Sequence, residues 1–195
     1  MWIYIVLTGS ISISVILGIY VFSGIKKTYD QKGTYSDKLL SLWFTMWAFH
    51  HIPLILSSLY GVWLIQIDKT FALAGGSVLF VTGAIILPMG MIEFRSLKRS
   101  TGQDISKLIT TGIYRWSRNP QFVGWFLMLL GISLAGRSGL AFLLTGVFAI
   151  VIYLYTILLA EPYLESLYGE EYRLFKKRTA RWIGIPGKNN EITSG

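Results

Sequence analysis

Residues 121–160 read QFVGWFLMLLGISLAGRSGLAFLLTGVFAIVIYLYTILLA, with Arg137 the sole charged side chain among them. About 20 mostly apolar residues carry a helix across a hydrocarbon core of about 30 Å, so this stretch predicts two membrane helices. Ala135-Gly136-Arg137-Ser138-Gly139 divides it, because its glycines allow the positive dihedral angles of a tight reversal. Gln121 to Ala135 is then a short span of about 22 Å at 1.5 Å per residue, and Gly139 to Ala160 a span of ordinary length. The two together read as a helical hairpin.

Outward from the hairpin, three further stretches fit the same ruler. Trp2 to Ile25 carries no ionisable group except tyrosine; without a basic n-region or a small-residue cleavage site, it reads as a retained helix and not a signal peptide. Leu39 to Ile67 is too long for one upright span, so it must tilt, run past the core or break, and Pro53 marks the expected place. Phe71 to Ile92 is the third. The fold class is therefore all-α: a polytopic integral membrane protein of about five transmembrane helices, with a terminal hairpin and a cytoplasmic C-terminal helix. Residues 1–110 hold the N-terminal spans and residues 111–186 the hairpin and C-terminal segment. Residues 187–195 form a polar tail expected to fray, and the whole makes one membrane domain.

Composition agrees. Of 195 residues 53% are hydrophobic and 14% charged, and the mean hydropathy is +0.54, whereas a soluble domain carries about a quarter charged residues. Intrinsic disorder is excluded. The absence of cysteine excludes a disulfide framework, a thiolate nucleophile and a cysteine metal site. A net charge of +8 raises the question of nucleic acid, but such binders display their charge on water-exposed faces, and no nucleic-acid partner is expected here. With the N-terminus outside, all but Lys69 and Arg137 of the 18 basic residues fall on one side, which the positive-inside rule makes cytoplasmic.

Two polar segments flank the hairpin. Thr111 to Gly124 enters it. Pro120 suits the first turn of a helix and Asn119 is a favoured N-cap. This is either a capped helix start with Arg115 and Arg118 anchored to lipid phosphates, or an anion-friendly pocket built from free N–H groups, Asn119, Gln121 and two guanidiniums. Glu161 to Lys176 leaves the hairpin. Pro162 cannot donate to the carbonyl of Leu158 and should kink the helix. Glu161 and Glu165, four apart, share a helical face, with Tyr168 one turn on. They are either solvated surface or one wall of a ligand cleft. Tyr172 and Phe175, three apart, place two rings on one side of the last helix, which packing on the bilayer interface alone would explain.

His50 and His51 point about 100° apart on a helix and do not form a chelating pair. No metal site is expected; a hydrogen bond across a helix interface or a place in a channel lining is the better reading. Glu93 is left between pairing with Arg95 and reaching the cleft.

At the two polar segments the chain resembles the integral-membrane methyltransferase family that includes isoprenylcysteine carboxyl methyltransferases and phospholipid N-methyltransferases. The pattern Gly-x-Tyr-x-x-x-Arg-(His or Asn)-Pro-x-(Tyr or Phe) is met by Gly112, Tyr114, Arg118, Asn119, Pro120 and Phe122. Its companion after the hairpin is a Glu-rich exit, then (Phe or Tyr)-Gly-x-x-Tyr-x-x-(Tyr or Phe) and a basic-aromatic end. Glu161, Tyr168, Gly169, Tyr172, Phe175, Arg181 and Trp182 meet it. The resemblance covers residues 111 to about 186. Asn119 stands where the isoprenylcysteine type usually has His; Glu161-Pro162 is similar to the phospholipid type, whose second Glu is replaced here by Ala160.

The resemblance implies a pocket for S-adenosyl-L-methionine between the cytoplasmic end of the hairpin and the C-terminal segment, and a lipophilic or lipid acceptor arriving from the bilayer. Tyr114, Asn119, Pro120, Gln121, Phe122, Glu161, Tyr172 and Phe175 are the implied cofactor-binding residues. Tyr172 or Phe175 would hold the sulfonium by cation-π attraction and Glu161 would accept from the ribose or ammonium. Arg118, or N–H groups near Pro120, would meet the carboxylate. Arg118 and Glu165 are the catalytic candidates, Glu165 as the base for an acceptor that must lose a proton. Two other readings fit the same residues. One is a nicotinamide-dependent membrane reductase, since sterol reductases resemble this family in the same region. The other is a non-catalytic protein whose basic loops bind anionic lipid or an acidic partner. No feature of the sequence sets an oligomeric state.

Overall fold

A computed structural model describes residues 2–186, so the expected fraying of residues 187–195, and Lys188 in the charge count, lie outside the described residues. The described chain is all-α: α1 (Trp2–Asp30), α2 (Asp37–Leu59), α3 (Lys69–Ile92), the short α4 (Leu97–Ser100), α5 (Pro120–Ala135), α6 (Gly139–Tyr155), α7 (Glu161–Tyr168) and α8 (Glu170–Arg178). A 3-10 turn at Gly112–Arg115 precedes α5, and a π-helical turn at Thr156–Ala160 joins α6 to α7 in one continuous helix, Gly139–Tyr168. Four helices are long and apolar enough to cross a membrane, and Pro120–Ala135 is a shorter apolar helix. This is a polytopic integral membrane protein.

Helix starts follow from local chemistry. Ser36, Asp68 and Ser138 each accept a hydrogen bond from the backbone N–H three residues on, satisfying a donor that the first turn leaves orphaned. The long stretch Leu39 to Ile67 does not break at Pro53. Helix α2 runs through Pro53 and stops at Leu59, where Gly61 takes φ +60°. The loop that follows packs on the hairpin turn: the Ile65 N–H donates to Arg137 O at 2.8 Å and the Gly139 N–H to Trp63 O at 2.9 Å.

The hairpin turn differs from expectation in one respect. Its positive dihedral belongs to Arg137, at φ +49°, while Gly136 has φ −78°. The glycines serve close approach instead. A Cβ on Gly136 would sit 2.5 Å from the Cβ of Ser58, and one on Gly139 would sit 3.0 Å from Trp63 O.

Helices α1, α2, α5 and α6 enclose the main core, in which Trp43, Trp47, Leu54, Leu129 and Phe148 are buried. The histidines belong to it: Trp125 Nε1 donates to His51 Nε2 at 2.7 Å, joining α5 to α2. Helix α3 lies outside this core and packs along α5 through facing glycines. A Cβ on Gly76 would meet Gly131 O at 2.6 Å, and one on Gly124 would meet Leu87 N at 2.5 Å; Gly83 faces Gly124 equally closely. Gly76, Gly83 and Gly90 recur every seven residues on α3, as Gly124 and Gly131 do on α5, so small residues form a seam along which the backbones touch. In lipid, where burial of apolar surface gives little drive between helices, such contact is a main source of association. Gly124→Leu should therefore part α3 from α5 and destabilise the protein by about 1–3 kcal/mol or more, read as a lowered thermal midpoint in detergent. Gly146→Leu, with open space around it, should leave the midpoint unchanged.

Candidate active site

The functional candidates gather at the end of the bundle where α1, α3 and α7 finish and α2 and α5 begin. The chain before α5 is shaped first. Gly112 takes φ +54° and a Cβ there would overlap the Glu93 carboxylate, which accepts from Thr111 Oγ1 at 3.1 Å. Glu93 thus packs against the Thr111–Gly112 backbone. Tyr114 is buried and its hydroxyl donates to Gly90 O at 3.3 Å, tying the turn to α3; burial raises its phenol pKa well above the ordinary value.

The C-terminal segment then folds back over this turn. The Arg118 N–H donates to Ala180 O at 2.9 Å, the Gly184 N–H donates to Trp116 O at 3.0 Å, and Asn119 Nδ2 donates to Arg181 O at 3.0 Å. Asn119 occupies the N-cap position of α5, as expected, but its side chain is drawn away to Arg181 and makes no capping bond. The first N–H groups of α5 accordingly keep no side-chain cap. Pro120 stands at the first helical position and is fully buried against Gly90.

At the centre lies an ion triad. Glu161 begins α7 just after the π turn, where its own N–H donates to Thr156 O; the lengthened hydrogen-bonding pattern falls beside Pro162, whose missing N–H disturbs the α-helical ladder. Arg181 grips Glu161 in two bonds, Nε to Oε1 at 2.8 Å and Nη2 to Oε2 at 3.0 Å. Arg118 Nη1 lies 3.1 Å from Glu161 Oε1, both side chains being only 8% exposed. Arg118 Nη1 has Glu161 Oε1 as its ion-pair partner, whereas Arg118 Nε and Gln121 Nε2 are buried without a hydrogen-bond acceptor. Two guanidiniums on one carboxylate leave a net positive charge, and these donors are its unfilled valence.

Arg118 and Gln121 are among the residues that line a cavity of about 450 Å³, the size of small-molecule sites. Tyr114, Arg118, Asn119, Gln121 and Phe122 line it from the α5 side. Glu161, Tyr172 and Phe175 line it from the C-terminal side. Away from the triad the wall turns apolar, with Trp43 and Phe44 of α2, Leu87 and Met91 of α3, and Trp125 of α5. Residues of the Arg99 to Ile109 segment also line the cavity, the segment being pinned by Tyr168, whose hydroxyl donates to Ile105 O at 2.8 Å.

One expectation is corrected by this arrangement, and one alternative for Tyr172 and Phe175 does not hold. Glu165 does not reach the cavity: it lies on the outer side of α7, 3.0 Å from Lys176 Nζ and 3.4 Å from Arg173 Nε. Tyr172 and Phe175 do not face a bilayer interface. Both are 2% exposed and pack inward with Tyr114 and Leu108. Burial, and then the Glu161 charge, push the Tyr172 phenol up to about 12, with Arg118 pulling the other way. Arg181 was legible only as part of a motif, and its grip on Glu161 carries no mark in spacing, since the partners are 20 residues apart.

The family model for phospholipid methyltransferase matches residues 71–171, more than half of the chain. The chain belongs to this family. Among curated proteins it is similar to protein-S-isoprenylcysteine O-methyltransferase of Dictyostelium discoideum, 29% identical over 124 residues, 61% of this chain and 52% of that protein. It is also similar to the enzyme of the same name from Rattus norvegicus, 27% identical over 60% of this chain and 42% of that protein. An uncharacterized protein of Haemophilus influenzae is 37% identical over 32% of this chain and 98% of its own length. The chain spans about half the length, or less, of the two named relatives. No solved structure matches significantly. The family match covers α3 from Phe71 onward and α5, α6 and α7 whole, and so includes the glycine seam, Arg118 and Glu161.

Replacing Glu161 by Gln leaves the buried Arg118 guanidinium and the partly exposed Arg181 without their counter-charge, and breaking a buried pair such as that of Arg118 costs about 3–5 kcal/mol. Glu161→Gln should lower the thermal midpoint in detergent more than Glu165→Gln, whose partners are largely solvated. A pH effect follows from Tyr172. Its phenol is neutral when protonated, and a folded value of about 12 exceeds the ordinary 10, so between these the folded chain keeps a proton that the unfolded chain releases. The stability this supplies is complete below about pH 10 and is lost as pH rises towards about 12. Thermal midpoints measured across that interval should fall less steeply for Tyr172→Phe than for the wild type.

Proposed function

We propose that this protein transfers a methyl group from S-adenosylmethionine to a lipophilic or lipid acceptor at the membrane. The observation that carries the reading is a pair of buried donors without an acceptor, Arg118 Nε and Gln121 Nε2, on residues that line a cavity whose wall turns apolar away from them. Beside the uncapped start of α5, whose N–H groups also favour an anion, this donor set suits a carboxylate, and the cofactor carries one. Glu161 holds Arg118 in place and supplies the negative charge that lets two guanidiniums share the site. Tyr172 and Phe175 present aromatic surfaces to the same space, a setting that favours a sulfonium.

S-adenosylmethionine, when bound, supplies an activated methyl group that an acceptor lone pair takes in a single displacement. The chain's part is alignment and exclusion of water. Residues of the Arg99 to Ile109 segment add to the wall, and Trp43, Phe44 and Trp125 offer apolar wall to a hydrocarbon tail. A carboxylate acceptor needs no base, and Glu165 has no part in this reading because it lies outside the cavity. The names of the relatives, acting on isoprenylcysteine, and of the family, acting on phospholipid, support a lipidic acceptor. The charge asymmetry supports a cytoplasmic placement of this end and an external N-terminus.

Calorimetric titration of the detergent-purified protein with S-adenosylhomocysteine tests the reading. Saturable binding is expected, weakened at least about tenfold by Arg118→Ala and unaffected by Arg115→Ala, whose side chain is exposed outside the cavity. A folded protein that takes up no analogue would contradict it.

A further inference from the structure

Three tyrosine hydroxyls from separate parts of the chain meet in the wall of the same cavity. Tyr29 at the end of α1, Tyr35 in the turn before α2 and Tyr155 at the end of α6 form a closed triangle. Its oxygen separations are 2.7 Å for Tyr29 and Tyr35, 2.8 Å for Tyr29 and Tyr155, and 3.0 Å for Tyr35 and Tyr155. A hydroxyl has one hydrogen and two lone pairs. Three hydroxyls bonded in a ring use all their hydrogens on one another and keep one lone pair each. If one O–H turns outward, the ring gives up one internal bond and gains a donor. It can therefore accept from an N–H or O–H, or donate to an oxyanion, with no change of protonation state.

The ring is held rigidly. Tyr155 packs edge-on to Phe122 at 6.0 Å and lies 5.3 Å from Trp43. Tyr29 stacks on Tyr163 at 3.8 Å and on Tyr35 at 5.7 Å. Its position is informative. Tyr155 precedes Glu161 by six residues on one continuous helix, an axial rise of about 9 Å. Tyr155 brings its corner of the ring beside Trp43, where the cavity wall turns apolar, while Tyr29 and Tyr35 reach it from the end of α1 and the turn before α2. An acceptor with its tail against Trp43 and Phe44 must bring its reacting atom to this boundary to meet a donor anchored at Arg118 and Gln121. Thr156, the other hydroxyl lining this level, already donates to Ile152 O at 2.8 Å.

We propose that the Tyr29, Tyr35 and Tyr155 hydroxyl ring binds and orients the polar reacting group of the acceptor. This rests on the methyl-transfer reading above. The ring presents lone pairs to an amine and, by turning one hydroxyl, a donor to a carboxylate. It selects the position of the reacting atom, whereas the triad selects that of the donor.

The test uses the full-length protein in detergent with two probes, a prenylated cysteine bearing a free carboxylate and phosphatidylethanolamine. Acceptor affinity is read without any methyl donor from the fluorescence of Trp43 and Trp125, which line the cavity, using the probe that perturbs the wild type; initial rates follow with donor present. Tyr155→Phe and Tyr29→Phe should each weaken acceptor binding and lower kcat/KM about tenfold, with S-adenosylhomocysteine affinity within about twofold of wild type. Tyr163→Phe removes a hydroxyl that donates to Gly33 O outside the ring; it controls for lost packing and should leave acceptor affinity unchanged. Acceptor affinity within twofold of wild type in both ring variants, or an equal loss in Tyr163→Phe, would overturn the assignment. Failure of the wild type to bind S-adenosylhomocysteine would instead remove the methyl-transfer reading, and the fluorescence titration distinguishes the two.

Discussion

The attachment of two guanidiniums to the one carboxylate of Glu161 is the interaction on which the active end of this protein depends. Arg118 comes from the turn before α5, Glu161 from the start of α7 and Arg181 from the returning C-terminal segment. No other described ion pair joins all three. Burial raises the energetic stakes, because a charge taken from water and left unpaired costs several kcal/mol. With one negative and two positive charges the cluster carries a net positive charge, and the residues with unfilled donors, Arg118 and Gln121, line the cavity. Arg118 and Glu161, which help clamp these three segments together, are thus also residues of the cavity wall.

The membrane imposes the rest. Because lipid offers the backbone no hydrogen-bonding partner, every span must be helical, and because it offers little hydrophobic drive between helices, their contacts must be specific. Along the seam of Gly76, Gly83, Gly124 and Gly131 this is achieved by shape, the backbones of α3 and α5 touching directly. Among α1, α2, α5 and α6 it is achieved by interlocked aromatics such as Trp47, Trp125 and Phe148. The seam holds α3 against α5, and α3 supplies Leu87 and Met91 to the cavity wall. The site therefore inherits its apolar side from a contact well removed from the ion triad.

Much of this could be read from sequence because hydropathy is a local quantity. The hairpin, the start of α5 at Pro120 and the continuous helix into Glu161 all follow from runs of apolar residues and the two prolines that punctuate them. Pro53 was misleading: surrounding helices support an unbroken α2, and the loop beyond Gly61 is instead secured by the hairpin turn. Similarly, Asn119 has the chemistry of a cap, but the nearby carbonyl of Arg181 competes for its amide. Glu161 and Glu165 share a helical face by spacing and border one outer groove, yet only Glu161 also lines the cavity, while Glu165 pairs with Lys176 and Arg173. The tyrosine ring was invisible, since Tyr29 and Tyr155 are 126 residues apart. Residue type and spacing report what an element can do; partners from distant elements decide what it does.

The most direct test of the account is a structure of the full-length protein with S-adenosylhomocysteine. The account predicts the analogue in the cavity, its carboxylate within hydrogen-bonding distance of the Arg118 guanidinium and the Gln121 amide, with Glu161 still held by Arg181. An analogue bound elsewhere, or one whose carboxylate points away from Arg118 towards Trp43 and Phe44, would contradict it.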